Sequence, residues 1–277
     1  MLFQYLGTAA AEGIPGIFCQ CAVCKEARAK GGRHIRTRSQ AMIDDELLID
    51  LNNDTYLHFL RHGIDGAAIS HVLITHDHMD HFCAAELEMR IDGFCHLDEP
   101  AVMKIYGSEA VGMAMSKILY WDRDKHSMEF QRLAPFRPAA VGSFIVTALP
   151  AIHDPLAGSY IYLIEKDGKT ILYGHDTGYP EEAVWDYLQS REIYLNLASL
   201  DCTEANRPVM TYSSHMSLNE NVRVRDRLIA MGCADENTVF VCNHFSHNGV
   251  DVSYDTFRPL AEAQGFLTSY DGMAIEL

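Results

Sequence analysis

The sequence lacks any run of about 20 apolar residues, the length that a membrane-spanning helix needs. Its first residues, MLFQYLGTAA, place no lysine or arginine ahead of the apolar stretch, so a secretory signal is not expected. Internal repeats, low-complexity tracts and linker-like segments are also missing. We therefore expect a single domain over residues 1–277, located in the cytoplasm and without a membrane partner.

Basic residues are scarce. The chain has 22 lysines and arginines against 38 aspartates and glutamates, which gives a formal net charge of −16. A field of this sign repels the phosphates of nucleic acids, so nucleic acid is not expected as a partner. It does not exclude a small phosphate ester that docks on bound metal cations, because close charges dominate at such a site.

Cysteine is present in two patterns. Five of the eight cysteines are scattered through apolar segments, which is typical of reduced thiols in a cytosolic protein. The other three, Cys19, Cys21 and Cys24, lie within six residues. This spacing favours a metal site, and three free thiols on the surface are the alternative.

Histidine and aspartate are concentrated in the segment Thr75–His81, where His76, His78 and His81 alternate with Asp77 and Asp80 directly after an apolar run. Imidazole suits zinc, iron and manganese, and carboxylate suits harder ions, so the segment predicts a metal site rather than a polar surface turn. Three later residues each follow an apolar strand, and together they complete the ligand count for two metals. They are His153, Asp176 and His244.

Apolar patterning predicts strands and helices that alternate in both halves of the chain, as in sheets with helices packed outside. We assign the start of the first helix to Asp54. The predicted strands cover residues 2–7, 41–52 (two strands around a turn at 44–46), 71–76, 144–153, 159–178 (a hairpin), 193–203 and 238–244. The predicted helices cover residues 54–62, 84–90, 108–119, 180–190 and 218–231.

The pattern His-x-His-x-Asp-His, followed by a distant His, Asp and His, resembles the metallo-β-lactamase fold superfamily. The resemblance implies an αββα sandwich with a dinuclear metal site at the edge of the two sheets. It assigns His76, His78 and His153 to one metal and Asp80, His81 and His244 to the other, with Asp176 between them. It also implies that Asp50 orients the ligands without binding metal, and that Asp77 is not a ligand.

A finer resemblance is carried by Cys19-x-Cys21-x-x-Cys24 together with His244-x-x-His247. This combination is similar to the accessory phosphodiesterase of the bacterial carbon–phosphorus lyase system. The resemblance implies a structural zinc on the three cysteines and His247, without a catalytic part. It also assigns a general-acid role to His215, in the segment Ser213–Leu218 ahead of a predicted helix.

The function implied is hydrolysis of a small phosphodiester, including cyclic ones, by a hydroxide activated by two divalent cations (Zn²⁺ or Mn²⁺, with Fe a further option). Asp80 and His215 are the expected catalytic residues, Asp80 as a ligand and His215 as the proton donor. Three alternatives stay open: a tRNA 3′-processing type of nuclease, a lactone or thioester hydrolase, and a non-catalytic metal-bound regulatory protein. The oligomeric state is also open, with a homodimer among the alternatives.

Overall fold

The computed structural model describes residues 1–97, 101–208 and 214–277. Fourteen strands form two seven-stranded sheets. The strands of the first sheet are β1 (Leu2–Gly7), β2 (Gln40–Ile43), β3 (Leu47–Ile49), β4 (His71–Leu73), β5 (Met103–Gly107), β6 (Met128–Arg132) and β14 (Ala274–Glu276). Those of the second are β7 (Pro138–Val141), β8 (Phe144–Pro150), β9 (Tyr160–Lys166), β10 (Lys169–Gly174), β11 (Leu197–Asp201), β12 (Val239–Asn243) and β13 (Leu267–Thr268).

Each sheet joins an antiparallel part to a parallel part. In the first, of order β14-β1-β2-β3-β4-β5-β6, the strands from β3 to β6 run parallel. In the second, of order β13-β12-β11-β10-β9-β8-β7, the strands from β10 to β13 run parallel. Parallel strands present their carboxyl ends at one edge, where α/β proteins commonly place their sites.

Helices cover the outer faces of both sheets. They are α1 (Ala22–Lys30), α2 (Thr55–His62), α3 (Glu109–Asp122), α4 (Glu182–Ser190), α5 (Leu218–Ala230) and α6 (Tyr254–Ala263). Two short 3₁₀ helices cover Gly32–His34 and Ala84–Arg90. None of the helices within the described ranges is both long and apolar enough to cross a membrane.

The core has three layers of side chains, and alternation along the strands builds them. In β9, Tyr162 and Ile164 face the other sheet, where they join Phe3 and Ile43, whereas Leu163 faces the helices. One outer layer packs the second sheet against α4, α5 and α6, and the other packs the first sheet against α3. The order helix, sheet, sheet, helix confirms the αββα sandwich.

The structure moves some predicted boundaries. The strand predicted over 71–76 ends at Leu73, because the backbone N–H of Thr75 donates to the carboxylate of Asp50 (2.8 Å). The strand predicted over 193–203 begins only at Leu197, because Leu195 donates its N–H to the carbonyl of Cys233 instead (2.8 Å). The strand predicted over 144–153 ends at Pro150 and leaves His153 in the following loop.

Helix starts were predicted with similar error. The helix predicted from Asp54 begins at Thr55, and the Asp54 carboxylate does not cap it. That carboxylate accepts hydrogen bonds from the backbone N–H and the side chain of Arg38, both at 3.0 Å. The helix predicted from residue 180 begins at Glu182, and the helical segment predicted over 84–90 is a 3₁₀ helix.

Candidate active site

The predicted metal ligands come together at one edge of the sandwich, in a group that we call the histidine–aspartate cluster. They come from loops that follow β4, β8, β10 and β12, so both sheets contribute. The cluster consists of His76, His78, Asp80, His81, His153, Asp176 and His244. The sequence thus predicted which side chains meet, although they lie up to 168 residues apart (76 to 244).

The backbone at three strand ends is turned sharply. Asp50, Asp176 and His244 have φ values of 67°, 54° and 64°, in the left-handed region that most side chains avoid. Aspartate and histidine are among the residues that tolerate this region. Such strain persists where the surrounding structure imposes it, and all three residues lie where the predicted ligands come together.

The cluster divides into two groups of converging donor atoms, each within 4.8 Å, that share Asp176. The Asp176 Oδ2 atom lies 3.1 Å from the Nε2 atoms of both His76 and His81. The corresponding Nε2 distances of His153 and His244 are 3.4 and 3.8 Å. The partition is the one that the resemblance implied, and Asp77 lies outside both groups. The two groups are His76, His78, His153 with Asp176, and Asp80, His81, His244 with Asp176.

The negative charge of the buried carboxylates at the cluster favours the binding of cations. Four carboxylates, from Asp50, Asp80, Asp176 and Asp201, are at most 6% exposed. Burial alone raises the pKa of Asp176, but the imidazoles around it, His244 first among them, hold the pKa well below its usual range. Buried carboxylates require compensating charge. Two divalent cations balance four carboxylates, so the donor set fits a dinuclear centre.

Burial and neighbouring carboxylates shift the pKa values of three of the histidines in opposite directions. Burial lowers the pKa of His153 to about 4 and also lowers that of His76, which favours the neutral imidazole that a metal ligand needs. Burial opposes a charge on His81, yet the carboxylates of Asp80 and Asp50 raise its pKa well above the usual value. The carboxylates around His81 therefore favour a positive charge at the second group of donor atoms.

Oxygen atoms behind the cluster orient the imidazole rings. The Nδ1 atom of His81 lies 2.7 Å from the Asp50 carboxylate, which also accepts hydrogen bonds from the N–H and the hydroxyl of Thr75. The Thr75 hydroxyl lies 3.0 Å from Nδ1 of His76. Asp50 thus stands behind the rings, where the resemblance implied it. Contacts of this kind fix the tautomer and the direction of a ligating imidazole.

His215 borders the cluster, and its side chain is one quarter exposed. Its Nδ1 atom is 3.2 Å from Asp201 Oδ2 and 3.1 Å from Asp176 Oδ1. Burial opposes its charge, but the carboxylates of Asp201 and Asp176 raise its pKa to about 9. His215 also belongs to a third converging group with Asp176, Asp201 and His244. Ser213 of the predicted segment lies outside the described residues.

Sequence reasoning missed Asp201, the last residue of β11. Its fully buried carboxylate accepts hydrogen bonds from the backbone N–H groups of Met216 (2.8 Å), Thr203 (3.0 Å) and Asp176 (3.1 Å). The Thr203 hydroxyl in turn lies 2.8 Å from Nδ1 of His244. A signal was available, because Asp201 ends an apolar strand as Asp50 follows one. It was overlooked because the predicted strand ran on to residue 203.

The three N-terminal cysteines and His247 form a second, separate group, the cysteine cluster, whose donor atoms lie within 4.8 Å of one another. The His247 Nδ1 atom is 3.8 Å from the sulfur of Cys19 and 3.7 Å from that of Cys21. Backbone N–H groups point at all three sulfurs, at 3.3 to 3.4 Å. Burial raises the pKa of Cys24 to about 12, so a thiolate there needs a neighbouring cation.

Solved structures share this fold. A diphosphatase of the PhnP family is 20% identical, with a TM-score of 0.74, and the match covers 100% of this chain and 97% of that one. Zn²⁺-bound PqqB from Methylobacterium extorquens is 19% identical, with a TM-score of 0.71 and complete coverage of both chains. The short form of human tRNase Z is 16% identical, with a TM-score of 0.65 and coverage of 100% and 99%.

Among curated protein sequences, none matches the chain. A family description does match. The Beta-lactamase superfamily domain covers residues 47–232, which is about two thirds of the sequence and includes all of the proposed active-site ligands except His244. The chain therefore belongs to the β-lactamase superfamily, as a metal-dependent hydrolase family member with the metallo-β-lactamase fold.

Proposed function

We propose that this protein hydrolyses small phosphodiesters, cyclic ones included, at the histidine–aspartate cluster. The observation that carries the proposal is the position of His215. A histidine held by the Asp201 carboxylate borders the converging ligands, and its side chain is one quarter exposed. Phosphodiester hydrolysis expels an alkoxide, a poor leaving group that benefits from a proton donor at this position.

Each residue of the site has its own role in the proposed reaction. Asp176 lies between the two groups of histidines and holds them together, while Asp50 and Thr203 orient His81 and His244. When bound, two divalent cations lower the pKa of a coordinated water and offset the negative charge on phosphoryl oxygens. Asp201 keeps a proton on Nδ1 of His215, so that Nε2, the nitrogen remote from Asp201, donates to the leaving oxygen.

The net charge of −16 favours a small ester over a nucleic acid, since long-range repulsion acts on every phosphate of a polymer. Two structural neighbours are a diphosphatase and tRNase Z, and at their low identity the likeness shows the fold alone. The second candidate is a tRNA-processing nuclease, which the same fold can carry but which the net charge disfavours. A thioester hydrolase needs a proton donor less, because a thiolate is a better leaving group than an alkoxide. A lactone hydrolase also expels an alkoxide, so the hydrolysis screen, and not His215, separates it from a phosphodiesterase.

We further propose that the cysteine cluster binds a structural zinc through Cys19, Cys21, Cys24 and His247. Four donors of this kind match a closed tetrahedral site, which leaves no position for substrate. The cluster ties the N-terminal loop to the segment that follows β12, because His247 lies three residues after His244. Its contribution is to stability and to the placement of that segment.

The test is metal analysis of the purified protein combined with a hydrolysis screen. The screen compares bis-p-nitrophenyl phosphate, a 2′,3′-cyclic nucleotide and a ribose 1,2-cyclic phosphate with a tRNA precursor, a lactone and a β-lactam. We expect metal-dependent hydrolysis of the phosphodiesters, lost in Asp176→Ala. Preference for the tRNA precursor, for the lactone or for the β-lactam would contradict the proposal, and so would the absence of hydrolysis in metal-loaded protein.

A further inference from the structure

Asp154 lies beside His78 at the rim of the histidine–aspartate cluster. Its Oδ2 atom is 3.3 Å from His78 Nε2, and both side chains are more than one third exposed (41% and 37%). In the sequence, Asp154 is distinguished only by its position next to His153. Among the described residues, Asp154 is not part of any group of converging donor atoms.

The two nitrogens of His78 face different partners. Its Nδ1 atom points into the cluster, 3.1 Å from Nε2 of His153, and its Nε2 atom points outward to Asp154. A neutral imidazole that binds a cation through Nδ1 carries its proton on Nε2. That proton needs an acceptor, and the Asp154 carboxylate occupies this position.

Three of the other ligand rings have buried oxygen partners, whereas the buried Nδ1 atom of His153 has none among the described residues. His76, His81 and His244 are each at most 1% exposed, and their Nδ1 atoms lie beside Thr75, Asp50 and Thr203. His78 is the most exposed of the proposed histidine ligands, so its ring is the one that packing restricts least. An acceptor on its outer nitrogen therefore matters most for this ring.

The Asp154 carboxylate is itself held in place. Its Oδ1 atom accepts the backbone N–H of Leu156 (2.8 Å), and its carbonyl accepts the N–H of Ala157 (3.2 Å). One carboxylate oxygen therefore fixes the loop after His153, and the other reaches the loop after β4. We propose that Asp154 is a positioning residue that fixes the tautomer and direction of His78 for metal binding. The inference rests on the proposed metal centre.

The test uses zinc affinity, measured by competition with a chelator and by metal analysis of the retained protein. Asp154→Ala removes the acceptor, whereas Asp154→Asn keeps an acceptor oxygen without the charge. The matched control is Asp77→Ala, in the loop that carries His78: it removes one charge, and its side chain has no hydrogen bond or ion pair with the described residues. Loss of such an orienting partner typically costs about 10- to 100-fold in metal affinity.

We expect Asp154→Ala to weaken zinc binding at the cluster by about 10-fold or more, Asp154→Asn to weaken it less, and Asp77→Ala to stay near wild type. At saturating zinc, Asp154→Ala should hold as many ions as wild type. Equal affinities in Asp154→Ala and Asp77→Ala would overturn the inference while leaving the proposed function intact. A missing ion at saturation would also overturn it, because Asp154 would then be a ligand. Wild-type protein that binds no divalent cation at the cluster, whether zinc, manganese or iron, would overturn the proposed function itself.

Discussion

The histidine–aspartate cluster and the cysteine cluster are built in opposite ways. The first gathers side chains from loops of both sheets, and its carboxylates are almost completely buried. The second takes three of its four donors from the short segment 19–24, which leads into the first turn of α1 and in which Cys21 is exposed. Carboxylates and hydroxyls hold the rings of the first, whereas backbone N–H groups hold the sulfurs of the second.

Loops of a folded sandwich bring the first cluster together. Under the proposed function, its ligands therefore contribute to catalysis more than to the free energy of folding. The second closes a contact between the N-terminal loop and the segment after β12, and metal binding at such a site is partly folding free energy. Arg28 of α1 also holds the N-terminal loop, by donating to the carbonyls of Cys19 (2.7 Å) and Gly16 (2.8 Å).

Asp176→Ala should produce the largest loss of activity, because Asp176 lies in both groups of converging donors. We expect turnover to fall to background, by at least about 10⁴-fold, since the chemistry depends on the cations. Steady-state hydrolysis and metal content measure the effect, with Asp77→Ala as the control for charge removal. Turnover within 10-fold of wild type would show that Asp176 is not a ligand shared by both cations.

His215→Ala should reduce turnover by about 10²- to 10⁴-fold for a cyclic or alkyl phosphodiester. The loss should shrink for a p-nitrophenyl ester, because its phenolate leaves without a proton. The comparison is kcat for both esters at matched metal occupancy. Equal losses on both substrates would rule out the role of proton donor. Loss of an ion in the variant would assign His215 to metal binding, in line with its proximity to Asp176 and His244.

Asp201→Asn tests the origin of the raised pKa of His215, which is about 9. A general acid acts while protonated, so activity is lost as pH rises through this pKa. Removing the Asp201 charge lowers the pKa of His215, and we expect the alkaline limb of the kcat profile to move to lower pH. Bound cations lower this pKa in both proteins, so the shift between them is the measured quantity. Coincident profiles would contradict the pairing.

Cys21→Ser should have the smallest effect on catalysis and a clear effect on stability. We expect a loss of about 2 to 3 kcal/mol in the free energy of unfolding, or roughly 4 to 12 °C in Tm. The kcat of the folded variant should stay within about 3-fold of wild type, since no cysteine reaches the other cluster. Thermal unfolding with and without a chelator measures the change, and Cys233→Ser, a buried cysteine outside the cluster, is the control. An unchanged Tm with abolished activity would show that the cysteine cluster contributes to catalysis and not to stability.

The sequence predicted the parts of the site that lie close together or follow apolar strands. The four ligands between His76 and His81 were evident from their spacing, and the αββα sandwich followed from the resemblance. Asp201 has a signal in its position at the end of an apolar strand, which the overlong predicted strand concealed. Asp154 has none, because a single acidic residue in a loop has no signature until folding places it beside a histidine. The His78–Asp154 contact spans 76 residues and the Ser246–Glu12 contact spans 234, and local patterns carry no information at such separations.

The metal-to-protein ratio tests directly whether the two clusters are separate metal sites. It is measured for wild type, Asp176→Ala and Cys21→Ser, purified and loaded identically. Two independent clusters predict about three ions in wild type, about one in Asp176→Ala and about two in Cys21→Ser. Asp176→Ala that retains three ions would contradict the dinuclear centre. Cys21→Ser that loses all three would contradict the separation of a catalytic from a structural site.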